Sequence, residues 1–297
     1  MAGEGANDMA ARPRPRVRLR RLGGKLRRLR EAAGVRMEDA ARRIDADKPK
    51  ISRIENGLAS IRRLELEALL SLYGVSDEQV VTAMVAMAKQ TRRKGWWHQY
   101  SQDLHPHFEE RMDLEDDAAR ILAFQPLLVP GLLQTTEYAR SVIRSAERTA
   151  TEAEVEHWVE MRMARQAILR RATAPQLVCL LDEAVLHRRV GGASALKGQL
   201  DRLLEINSPP DLSIQVIPFG QGWHAGLDGG FSVYSYPDPL HLDVVTVDYL
   251  DGALYLEDDA SVGRYHRAFD QLRASALSSR QSMSLISRLS RDLEREV

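Results

Sequence analysis

The residues best equipped for chemistry lie in the run Lys48-Pro49-Lys50-Ile51-Ser52-Arg53-Ile54-Glu55-Asn56-Gly57. Laid on a helix, Ile51 and Ile54 are three apart and Leu58 lies four beyond, so the three share one apolar stripe. Lys48, Pro49, Ser52, Arg53 and Asn56 fall on the opposite side, which carries cations, a hydroxyl and an amide but no carboxylate. Lys50 adds a further cation in the same turn. Side chains of these types read a nucleic acid: Arg and Lys suit guanine edges, Ser and Asn suit phosphates or bases. Asp47 is a good N-cap, Pro49 is tolerated in the first turn, and Gly57 is a stop signal. A helix this short is unstable alone and needs a scaffold.

The neighbouring residues supply one. Leu19, Leu22, Leu26, Leu29 and Ala33 recur at helical spacing, with Gly34 ending that helix. Met37 to Ile44 reads as a second helix with Ala40, Ala41 and Ile44 on one face, and Asp45-Ala46-Asp47 breaks it before the next. Leu64, Leu66, Leu69, Leu70 and Leu72 belong to a fourth helix ending near Gly74. Val75 to Ala88 forms a fifth, with Ser76 as its N-cap. Two short helices joined by a three-residue turn inside a small bundle make a helix-turn-helix.

The stretch LRRLREAAGVRMEDAARRIDADKPKISRIENG resembles the lambda-repressor-like (XRE) DNA-binding domains of bacteria and phages. The likeness rests on Leu29-Arg30, Gly34, Glu38-x-x-Ala41 and Ile51-Ser52-x-Ile54-Glu55-Asn56-Gly57, and it covers roughly residues 19–88. It implies that Arg30 of the first helix pairs with Glu55 of the recognition helix. Where the family has a phosphate-binding Gln this chain has Met37, and where the family's turn has Gly it has Asp45, a residue that tolerates left-handed backbone.

A length of 297 residues leaves room for about two domains. The formal net charge is zero, but residues 1–95 hold 22 Lys or Arg against 12 Asp or Glu, a balance of +10, and the remainder is at −10. A basic head joined to an acidic body fits a DNA-binding unit with a separate regulatory or partner-binding one. One cysteine excludes an internal disulfide framework and a Cys zinc site. No apolar run approaches the ~20 residues needed to span a membrane, and no apolar run follows the basic N-terminus. A cytoplasmic protein without membrane contact is expected. Residues 1–16 read as a disordered basic arm, and Arg12, Arg14, Arg16 and Arg18 can lie along DNA or form a solvated tail. The division expected is 1–16, 17–95 and 96–297.

The fold expected is a five-helix, mainly α N-terminal bundle followed by an α+β C-terminal domain with a partly antiparallel sheet. Helices are expected at Leu114 to Phe124, Thr136 to Ala146, Thr151 to about Arg171, Ser194 to Glu205, Ser261 to Ala274 and Ser278 to about Glu296. Strands are expected at Leu177 to Leu181, Leu212 to Ile217, Phe231 to Tyr236, Val244 to Tyr249 and Ala253 to Leu256. Trp96-Trp97 marks the junction and reads as packing where two domains meet, a base-stacking platform being the alternative. The runs FQPLLVPGLLQTTEYAR, DEAVLHRRVGG and LDGGFSVYSYPDP, the last followed by VVTVDYLDGALYLED, resemble the C-terminal domain of a large group of actinobacterial regulators. That group places an XRE head before such a body and is described as antitoxin-like, because many members are encoded beside a small partner protein. The resemblance implies no established ligand.

Enzymatic signatures are weak. Cys179 sits in a buried-strand pattern and reads as a small core residue. His187, His224 and His241 match no metal-site spacing, and no cofactor is expected. The glycines of 220–230 lack the Gly-Lys-Ser/Thr ending of a phosphate loop. Asp182-Glu183 and Glu257-Asp258-Asp259 stand at a strand end and a helix start, where acids favour the dipole. The loop from Phe219 to Phe231 combines Phe219, Trp223, His224 and Asp228 with mobile glycines and can receive a ligand or peptide. The reading is a sequence-specific transcriptional regulator, acting as a homodimer on an inverted repeat of double-stranded DNA and gated at the C-terminal domain. An antitoxin that binds a small neighbouring-gene protein is the alternative, and a DNA-targeted enzyme ranks below both.

Overall fold

The computed structural model describes residues 17–90, 95–100, 106–208, 210–236, 240, 242–250 and 252–296. Residues 1–16, with Arg12, Arg14 and Arg16, and His241 lie outside the described residues. The chain divides into two compact units, Met1–Lys94 and Gly95–Val297. Among the described residues no helix is long and apolar enough to cross a membrane.

The first unit contains five helices: α1 (Val17–Ala32), α2 (Met37–Arg43), α3 (Lys48–Glu55), α4 (Arg63–Leu72) and α5 (Glu78–Gln90). Leu22, Leu26, Ala40, Ala41, Ile51, Ile54, Leu66, Leu69 and Met84 close its core. Asp45 alone among the described non-glycine residues takes a left-handed backbone, φ 52°, and so turns α2 into α3. Asp47 caps α3 by accepting from the Lys50 N–H at 2.9 Å. Three expectations are corrected. Leu58 is 60% exposed, because Gly57 at φ 71° turns the chain away and ends the Ile51–Ile54 stripe. Asp77, not Ser76, caps α5, accepting from Gln79 N–H at 2.8 Å. Arg18 is buried within α1 and belongs to no arm.

The second unit is a six-stranded mixed sheet in the order β3-β2-β1-β4-β5-β6. Its elements are α6 (Pro106–Asp117), β1 (Arg120–Gln125), α7 (Thr136–Ala146), α8 (Glu152–Arg165), β2 (Gln176–Asp182), α9 (Glu183–His187), α10 (Gly192–Ile206), β3 (Leu212–Ile217), β4 (Phe231–Ser235), β5 (Val244–Tyr249), β6 (Gly252–Leu256), α11 (Asp259–Ser275) and α12 (Ser279–Glu294). β1, β2 and β3 run parallel, and β4, β5 and β6 are antiparallel to their neighbours. The α+β expectation holds, with one correction inside it. The expected helix Leu114 to Phe124 is the end of α6 followed by β1. That strand is interior, with Leu122 and Phe124 packed towards Phe269 and Leu272 of α11. A strand covered on both faces loses its two-residue alternation and reads as a plain apolar run.

The outer edge of β3 is finished by groups that belong to no strand. Asn207 accepts from Ile214 N–H at 2.9 Å, Ser282 Oγ accepts from Val216 N–H at 3.0 Å, and Leu277 N–H donates to the Val216 carbonyl at 2.8 Å. Among the described residues β6 pairs with β5 on one side only.

Candidate functional site

Helix α3 owes its placement to a close backbone approach. A Cβ at Gly23 of α1 would stand 2.2 Å from the Ile54 carbonyl oxygen, and one at Gly57 would stand 2.7 Å from the Arg20 nitrogen. The pairing of Arg30 with Glu55 then locks the crossing. Arg30 Nε donates to Glu55 Oε1 at 2.6 Å and a second guanidinium nitrogen donates to Oε2 at 2.9 Å, while the third reaches the Val35 carbonyl at 3.0 Å. Both side chains are buried. The Glu55 hydrogen bond raises the Arg30 pKa further. Burial and the nearby Glu55 charge push the Tyr73 phenol up to about 12.

With its inner face so held, α3 exposes Lys48, Pro49, Arg53 and Asn56, with Ser52 half-buried between them. Arg53 makes no ion pair among the described residues. Asn56 Nδ2 donates to the Ser52 carbonyl at 2.8 Å and to Ser52 Oγ at 3.3 Å. The Ser52 hydroxyl therefore keeps its own hydrogen for an outside acceptor such as a phosphate oxygen. Lys48 donates to Glu38 at 2.7 Å and holds that carboxyl below its ordinary value. Both ends of this pair are exposed and water screens the attraction, so Lys48 is readily released to another anion. Lys50 is half-buried like Ser52 but turns towards α4, donating to Glu65 at 2.6 Å. Met37 opens α2 half-buried. One exposed cation that sequence spacing passed over is Arg62. Its backbone N–H donates to the same Glu65 carboxylate at 3.0 Å, so Arg62 stands beside the first turn of α3.

In the second unit the loop from Pro218 to Gly230 follows β3, at the carboxyl ends of the parallel strands. Phe219, Trp223 and Leu227 are 60%, 80% and 61% exposed. Phe219 stacks on His187 with centroids 5.6 Å apart, and its N–H donates to Glu183 at 2.8 Å. His224 points inward. Its Nδ1 accepts from Gly226 N–H at 3.2 Å, its Nε2 lies 3.4 Å from Asp182, and its ring meets Phe124 edge-on at 5.9 Å. Asp228 is exposed, so the four expected residues do not converge on one point. Among the described residues no group of three or more His, Cys, Asp or Glu is placed to hold a metal.

Residues 108–288 match the family described as Domain of unknown function (DUF5753), and residues 21–83 match the family described as Helix-turn-helix domain. The chain belongs to the DUF5753 family. The helix-turn-helix match over α1 to α5 supports a DNA-binding, XRE-like regulator. No curated protein and no solved structure in the comparisons matches it.

Within the DUF5753 domain, Cys179 is fully buried and desolvation pushes its thiol up to about 12, which keeps it from acting as a thiolate at neutral pH. Trp97 is buried against Met112 and Met161, with Trp96 meeting it edge-on at 5.8 Å. These contacts lie inside the second unit and leave the Trp97 ring no free face for a base.

Proposed function

We propose that this DUF5753 protein is a sequence-specific transcriptional regulator that reads an inverted-repeat operator as a homodimer. The observation that carries the reading is the outer face of α3, where Arg53 is exposed and without an internal partner while Arg30, Glu55 and Lys50 are committed to the scaffold. Lys48, Ser52, Arg53 and Asn56 would meet base edges or flanking phosphates, and Arg62 the backbone beside them. A head of this size covers about one half-site, and two copies supply the affinity an operator needs. The test is selection of bound DNA from a random pool, followed by footprinting and stoichiometry. Two chains on an inverted repeat with half-sites about one helical turn apart, or a multiple of it, is the expected result. A one-to-one complex on a single half-site, or no enriched sequence, would overturn it.

The body, on this reading, receives a signal. The exposed Phe219, Trp223 and Leu227 favour a small partner protein over a metabolite, because aromatic side chains on a solvent-facing loop suit protein contact. That use fits an antitoxin-like member of the XRE regulators of actinobacteria, working in the cytoplasm. No catalytic step is assigned to it. Cys179 is buried, and exposed Asp228 does not converge with buried His224. A partner shifts DNA affinity only by its difference in affinity for the two states of the regulator. Comparing operator binding with and without the neighbouring gene product tests this part separately.

A further inference from the structure

On the sheet face opposite α11, α6 and α8 stand over β1 and β4 around a cavity of about 190 Å3. By the same measure one water needs ~10–15 Å3, so the space takes a ligand of several heavy atoms. The strand wall mixes apolar Ile121, Ala123 and Leu177 with polar Ser232, Tyr234 and Asp248, and the helix wall carries three arginines, Arg111, Arg162 and Arg165.

The charges on that wall do not balance. Arg165 is matched by the buried Glu115 through two hydrogen bonds of 2.6 and 2.7 Å. Arg111 reaches Asp248 with one nitrogen, but its Nε is buried and has no acceptor. Arg162 has no carboxylate at all among the described residues. Its one hydrogen bond is to the neutral Gln134 Oε1 at 3.0 Å. Burial, then the neighbouring charges of Arg165 and Arg111, pull its guanidinium down to about 10, so it remains a cation at neutral pH. Burial also pushes the Tyr234 phenol up to about 12, which leaves its hydroxyl a neutral group on the facing strand wall. A buried charge is costly unless it is paired. A guanidinium fork matches the paired oxygens of carboxylate and phosphate better than any spherical ion.

We propose that this cavity is a binding site for a small oxyanion, a carboxylate or phosphate group held by Arg162 and the unpaired edge of Arg111. It shares no lining residue with α3 or with the 218–230 loop, and anion binding there does not depend on the regulatory reading.

The test is calorimetric titration of the full chain with inorganic phosphate and, separately, with succinate, ionic strength being held constant with potassium chloride. One saturable site per chain is expected for at least one anion, and the tighter of the two distinguishes phosphate from carboxylate recognition. Arg162→Gln should weaken binding by roughly tenfold or more. The same change should leave the melting temperature of the anion-free chain unchanged or higher, because it removes a partly buried cation that has no carboxylate partner among the described residues; a purely structural arginine would lower it. Arg162→Lys keeps the charge without the fork and should also bind less tightly. Arg202→Gln, outside the cavity, should bind as the parent does. No saturation with either anion by about 10 mM, or parental affinity in both Arg162 variants, overturns the proposal.

Discussion

Lys50 and Glu65 are joined at 2.6 Å, and the other oxygen of that carboxylate closes the start of α4 by accepting from Arg62 N–H at 3.0 Å. Lys50 therefore serves the scaffold of the recognition helix. Lys50→Met is expected to lower stability by about 0.5–1 kcal/mol, a modest figure because the lysine is one-third exposed. Burial opposes ionisation of Glu65, but Lys50 and the Arg62 amide outweigh it and hold its pKa below 4.5. A carboxyl lowered by folding contributes stability above its unfolded pKa and loses it as pH falls through the folded one. Acid titration of the melting temperature should therefore flatten below pH 4.5 in Lys50→Met. On DNA, a fall of about 0.9 in the salt slope would instead mean that Lys50 leaves Glu65 for a phosphate.

Arg53 is expected to behave in the opposite way. Arg53→Ala should cost roughly 1–3 kcal/mol on the cognate site and relax preference at one base position, with little change in melting. Equal weakening on cognate and random DNA would make it a phosphate contact only.

Removing one side of the Arg30–Glu55 pair leaves a buried charge without its partner. Glu55→Ala is expected to destabilise the first unit by about 3–5 kcal/mol. Hydrogen exchange of amides in residues 17–90 of the full chain reads this directly. Unchanged protection would show that the pair holds nothing together.

The adjacent glycines of α1 should respond with opposite signs. At Gly23 a methyl group meets the Ile54 carbonyl at 2.2 Å, so Gly23→Ala should destabilise by about 1–3 kcal/mol and tilt α3. At Gly24 nothing lies within 4 Å, and Gly24→Ala should stabilise by about 0.5–1 kcal/mol through helix propensity. Chemical denaturation of the two variants side by side checks both signs.

Trp223 is 80% exposed and contributes little to folding. Trp223→Ala should leave melting and operator affinity of the isolated chain unchanged while reducing the response to a partner by roughly tenfold or more. A full response in the variant would move the receiving surface elsewhere.

The helix-turn-helix was legible because its signals are local. Asp45 turns the chain, Asp47 caps, Gly57 stops, and Ile51 and Ile54 mark the inner face. Lys50 was harder to place, since helical spacing puts it near the outer face and only the approach of Glu65 from another helix draws it in. β1 was missed for a related reason: interior strands and short buried helices look alike until the covering elements are known. The arginines of the α6–α8 cavity lie 51 and 54 residues apart from Arg111, so no motif could have joined them. Gly23 and Gly24 look alike in a helical pattern, and only the approach of α3 tells the crowded position from the open one.

The finished margin of β3 limits how copies of this protein can associate through their sheets. Strand addition needs a row of open amides and carbonyls. Asn207, Leu277 and Ser282 have used three of those of β3, whereas among the described residues β6 has a strand on one side only. A sheet with a single open margin can extend once. Two copies meeting through β6 satisfy each other about a two-fold axis and stop, whereas the occupied groups of β3 oppose further growth there.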